Sequence, residues 1–132
     1  GRSMSARIDA WMRQAESDFR VGQLTEAQNF HSQACYHYGQ TAEKALKGLL
    51  ISLGNIPPYS HSLDRLVDEL ANQGINVAPL RELHLKGLSR MNSESRYPRD
   101  DEAPVDRFDA RDSSLACHAA QVVLNFVRLS LE

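Results

Sequence analysis

The chain has 132 residues, with 15 Lys and Arg against 17 Asp and Glu for a net charge of −2, and 42% of it is apolar. That length accommodates one hydrophobic core rather than two ordinary domains, and the apolar content is too high for intrinsic disorder. Near-neutrality excludes a broad basic surface for nucleic acid, so any basic site has to be local.

Ala and Leu number 30 while Val, Ile and Thr together number 13, which favours helices over strands. Gly1-Arg2-Ser3 ahead of Met4 reads as an expression remnant, so residues 1–5 are set aside as remnant and tail and a single domain is expected over 6–132. Ile8, Trp11, Met12, Ala15 and Phe19 recur at threes and fours, predicting a first helix over about 6–24, with 25–29 as a connection. Phe30, Ala34, Tyr38, Ala42, Ala45, Leu49 and Leu53 then share a face of a long second helix, which Gly54-Asn55 and Pro57-Pro58 end. Ser60 or Ser62 can cap a short third helix carrying Leu63, Leu66, Val67 and Leu70 before Gly74. Pro79 suits the first turn of a fourth, with Leu80, Leu83, Leu88 and Met91 facing inward.

Residues 93–107 hold two prolines and many charges without periodicity, and read as a long surface loop of the kind that often carries function. The last helix, 108–131, has two apolar stripes side by side: Leu115, Ala119, Val122, Phe126 and Leu129, and Ala116, Ala120, Val123 and Val127. So wide an arc fits either the bundle centre or a subunit interface. No uninterrupted apolar run approaches the roughly 18 to 20 residues that cross a bilayer, so no membrane span is expected. No secretory leader pattern is read either. Two cysteines, Cys35 and Cys117, without metal-type spacing point to the reduced cytoplasm. His31, Cys35 and His37 lie close in sequence but belong to no closed four-ligand set, so neither a metal nor another cofactor is expected.

Tyr36, Gln40, Glu43 and Lys47 share a second face of the long helix, with Lys44 beside them. The plain reading is a solvated face with a Glu43–Lys47 pair worth a few tenths of a kcal/mol; the functional reading is a polar strip lining a groove or dimer seam. Charge also reverses sharply along the chain. From Lys86 to Arg99 four cations face Glu94, a net of +3, whereas from Asp100 to Asp112 six acids face two arginines, a net of −4. An anion site around Arg96, or pairing of basic and acidic segments between subunits, is compatible with this. Arg111 and His118, two helical turns apart, could form a minimal metal-free ribonuclease pair. His118 also falls between Leu115 and Val122, however, and this favours a packed histidine.

The ordered set Ala15-Glu16-Ser17-Asp18-Phe19, Ala42-Glu43-Lys44-Ala45-Leu46-Lys47, His61-Ser62-Leu63 and Arg96-Tyr97-Pro98 resembles the HEPN family, the higher eukaryote and prokaryote nucleotide-binding domain. Pro104 and Asp106-Arg107-Phe108 continue in a way similar to the HEPN domain at the C-terminus of sacsin. The resemblance runs from about Ala6 to the end. It implies an all-α antiparallel bundle of four to five helices that pairs as a two-fold dimer. The function implied is a non-enzymatic binding module for a nucleotide or other anionic ligand, or a partner of a minimal nucleotidyltransferase in a toxin–antitoxin module. Lys44, Lys47, His61, Arg96 and Tyr97 are the ligand-binding residues carried over by position. Another branch consists of metal-independent RNases with arginine, four to six residues, then histidine. Arg111 and His118, with six between, meet its loosest spacing and supply the alternative, an endoribonuclease acting on RNA.

Overall fold

A computed structural model describes residues 2–132 as an all-helical bundle, with no strand among the described residues. Three long helices form its frame: α1 (Arg2–Ala27), α2 (His31–Ser52) and α7 (Ala110–Leu131). Between them come α3 (Leu63–Asn72), the single turn α4 (Ala78–Arg81), α5 (Lys86–Glu94) and the single turn α6 (Pro104–Arg107). α2 is the spine, packing against α1 most extensively and also against α7, α5 and α3. Accordingly, 14 of its 22 residues are buried.

The α1–α2 contact is close because Gly22 allows it. A Cβ there would lie 2.6 Å from the Tyr38 ring, so any side chain would force the helices apart. Phe19 packs against the same ring at 5.5 Å between centroids. At the far end of this pair, polar groups tie three helices together. Tyr38 Oη donates to Glu26 Oε1 at 2.6 Å, Ser113 Oγ donates to Glu26 Oε2 at 3.2 Å, and His31 Nδ1 lies 2.9 Å from Ser113 Oγ. A half-buried carboxylate held by two hydroxyls is a satisfied acceptor rather than a cost.

α1 extends past the expected 6–24 at both ends, and the turn shrinks to 28–30, with Asn29 at φ +66° supplying the left-handed step. Gly54, at φ +81°, ends the α2 segment as expected. Ser62 rather than Ser60 caps α3, accepting from the Arg65 amide at 3.3 Å. The expected single fourth helix is two, since His84 at φ +52° breaks the chain between α4 and α5. The expected loop over 93–107 is shorter than read. α5 runs to Glu94, α6 occupies Pro104–Arg107, and Arg99 and Glu102 exchange backbone hydrogen bonds at 3.0 Å between them. α7 starts on a reciprocal capping box, with the Asp109 side chain accepting from the Arg111 and Asp112 amides and Asp112 accepting from the Asp109 amide.

Of the two apolar stripes on α7, Ala116, Ala120, Val123 and Val127 are buried in the core, whereas Leu115 and Leu129 are 62% and 68% exposed. Taken whole, α7 is long and apolar enough to cross a bilayer by length and composition. The uninterrupted runs concealed this because polar residues punctuate the helix.

Candidate functional site

α2 carries two polar faces, each closed by a different neighbour. On the first, the Arg96 guanidinium, at the end of α5, stands 4.7 Å from the Tyr36 ring centroid and 5.1 Å from that of Tyr97. One turn on, Gln40 Nε2 donates to Asn92 Oδ1 at 2.9 Å. Glu43 then accepts from Lys47 Nζ at 3.1 Å and faces His61 Nδ1 at 2.9 Å. Because an ionised carboxylate only accepts, Nδ1 carries its proton in this contact and Nε2 is left outward. The strip from Tyr36 to Glu43 spans seven residues, about 10.5 Å at the helical rise.

On the second face, Lys44 Nζ donates to Asp18 Oδ2 from α1, and His37 Nδ1 lies 3.7 Å from Asp18 Oδ1. That distance is too long for a hydrogen bond, and His37 Nδ1 is buried without one. Burial pushes the Asp18 carboxyl up, but His37 and Lys44 together outweigh it and hold the group below its ordinary value of 3.8.

The five expected ligand residues thus lie along one helix but are not equivalent. Lys44, Lys47 and His61 each face a carboxylate. The reading of this strip as a solvated face does not hold at Glu43, which is only 6% exposed because His61 and Lys47 close over it. Arg96 has no carboxylate partner among the described residues; its Nε donates to the Asn92 carbonyl at 2.7 Å and its guanidinium face rests on the two rings. Tyr97, at 59% exposure, leaves one ring face open. The alternative pair sits elsewhere: Arg111 and His118 are both exposed on α7, and His118 is not the packed histidine its spacing favoured. Its neighbours Leu115 and Val122 belong to the outward stripe.

Sequence reasoning missed Asp18, His37 and Asn92 as parts of these faces. Asp18 carried a readable signal, being an acid on the same helical face as Ala15, Phe19 and Gly22, where an unpaired charge is not tolerated. It also missed Arg107, whose side chain donates to the Glu94 carbonyl and lies 3.7 Å from Glu102, pinning segment 95–103 to the end of α5. Among the described residues no three His, Cys, Asp or Glu side chains converge to hold a metal.

The HEPN domain family model matches residues 8–130. The chain belongs to the HEPN domain family. The fold agrees: this HEPN domain is similar to the crystal structure of TT1696 from Thermus thermophilus, at a TM-score of 0.86 and 27% identity over 94% of this chain and 98% of that one. It is also similar to ST0689, an archaeal HEPN homologue, at a TM-score of 0.76 and 27% identity over 96% and 98% of the two chains. No curated protein matches the sequence.

Proposed function

We propose that this HEPN domain is a non-enzymatic, two-fold dimeric binding module whose α2 strip takes a nucleotide or another anionic ligand. The reading includes a cytoplasmic setting, in which a minimal nucleotidyltransferase of a toxin–antitoxin module is the protein partner. The observation that carries it is Arg96: a guanidinium without a carboxylate partner among the described residues, held by two aromatic rings at the end of a polar strip. Arginine offers a planar fork to phosphate oxygens, and the open face of Tyr97 offers a stacking surface to a base. On the strip itself Lys47 and His61 share the Glu43 carboxylate, while Lys44, on the second face, is matched by Asp18. The alternative reading is an RNase acting through Arg111 and His118, both exposed on one face of α7.

In calorimetric titration with ATP and GTP, wild type is expected to bind at least one of them and Arg96→Ala to bind it at least about tenfold more weakly, the effect of losing a charge-assisted bidentate contact. No heat with either nucleotide removes the nucleotide claim and leaves the partner claim standing. The outward stripe of α7, with Leu115 and Leu129 exposed, supports the dimer. Light scattering at micromolar concentration is expected to give twice the chain mass, and a monomer overturns the seam.

A further inference from the structure

The corner joining α4 to α5 and the first half of α7 border a half-open cavity of about 360 Å³, apart from the α2 strip. Leu88, Met91, Ala116 and Ala119 make an apolar lining, and Glu82, His84 and His118 supply its polar groups. Its size lies near the lower end of small-molecule sites, roughly 300–1,000 Å³, and an apolar lining with a few convergent polar groups is their usual character. Two details set it apart from an accidental dent. His84 is held at φ +52°, a conformation a non-glycine residue adopts at a cost, and it is this residue that brings an imidazole to the cavity. Gly87, in the first turn of α5, also lines the cavity, yet a Cβ there would meet no atom within 4 Å. The packing does not require glycine at this position; its absence of a side chain keeps the cavity open.

We infer that this cavity binds an uncharged, flat heteroaromatic molecule bearing an N–H donor. The lining takes the ring face, with the Met91 thioether suited to an aromatic edge. The Glu82 carboxylate accepts the N–H and disfavours anions. The ring nitrogens of His84 and His118 supply further hydrogen-bonding groups for the rest of the ring. The selectivity is the reverse of that proposed for the α2 strip and no lining residue is shared with it, whereas Leu115 and Ala119 of the cavity wall also belong to the α7 stripe proposed as the dimer seam, so the cavity opens at that seam.

Indole, benzothiophene (the same shape without the N–H) and benzoate are the probes, read by titration calorimetry and ligand-detected NMR. Indole is expected to bind wild type, with benzothiophene and benzoate each about tenfold weaker or worse, as when a site built to bond a group meets an analogue lacking it. Gly87→Leu places its side chain in the open volume, so it is expected to abolish indole binding while leaving the melting temperature and helical signal unchanged. His118→Ala, at an exposed position, is expected to weaken indole severalfold, and Arg96→Ala to leave it unaltered. The inference is overturned if wild type does not bind indole at millimolar concentration, if benzoate or benzothiophene binds as well as indole, or if a folded Gly87→Leu binds like wild type. Should Gly87→Leu fail to fold, unchanged indole affinity in His118→Ala overturns it instead.

Discussion

The helix pair α1–α2 and the segment from residue 78 to 109 treat charge in opposite ways. In the pair, carboxylates are matched, two of them buried: Asp18 with Lys44 and Glu43 with Lys47 and His61, while the half-buried Glu26 takes the hydroxyls of Tyr38 and Ser113. Burial pushes the Tyr38 phenol up, and its hydrogen bond to Glu26 adds to this. The Cys35 thiol is pushed up to about 12 by burial and then by the carboxylates of Asp112, Glu26 and Asp109, which leaves it protonated and unreactive. In the segment, helices are short; Arg96 rests on the rings of Tyr36 and Tyr97 with no carboxylate partner among the described residues, whereas Arg107, beside the Phe108 ring, is closed on Glu102 and the Glu94 carbonyl. The difference teaches that the number of basic residues is a poor guide to an anion site. A cation closed on a buried carboxylate fixes helix geometry, whereas a cation on a ring keeps its hydrogen-bonding edge for a ligand.

Breaking the matched half has the largest expected effect. Lys44→Ala leaves Asp18, at 7% exposure, without its ammonium partner. A fully buried broken pair costs roughly 3–5 kcal/mol, and the partial exposure of Lys44 brings the expectation to about 2 kcal/mol at neutral pH, measured by urea denaturation. The pH dependence sharpens this. In wild type the Asp18 pKa is depressed in the folded state, so its contribution is present above the ordinary value of 3.8 and is lost as pH falls through the lower folded value. In Lys44→Ala much of that depression disappears while burial remains, so the deficit relative to wild type is expected to shrink on acidification as Asp18 takes a proton. A deficit that stays constant from pH 7 down to well below pH 3.8 would show that the pair does not act through charge. Smaller is Asp109→Ala, which opens the capping box where the segment joins α7 and is expected to lower the melting temperature by a few degrees in calorimetry. Smallest in stability is Arg96→Ala, expected within about 0.5 kcal/mol of wild type because it removes no buried partner. It is the same substitution expected to affect nucleotide binding most.

Periodicity makes the long helices legible because their core faces repeat over many turns, as in Ala34, Tyr38, Ala42, Ala45 and Leu49 of α2. It gives no warning at His84, since the positive φ there is not encoded by a glycine or a proline, and the apolar positions Leu80, Leu83 and Leu88 are compatible with one unbroken helix. The members of the α2 strip were readable by spacing, but not which of their charges are balanced. That depends on contacts across the fold: Asp18 lies 26 residues from Lys44, and Tyr36 lies sixty residues from Arg96. The two stripes of α7 could be seen but not ranked, because burial is decided by where α2 lies rather than by the helix itself.

The Asn29 turn has a consequence for how this chain reaches its fold. Only residues 28–30 separate the two helices that pack most extensively, so the largest contact closes a very short loop. Loop closure costs more as the intervening chain lengthens, if only slowly, and contacts near in sequence form fastest. Both properties favour early formation of the α1–α2 hairpin, whereas the α2–α7 contact has to be closed across most of the chain. The broken segment in between, with its strained His84 and open Arg96, lies outside that short-range contact.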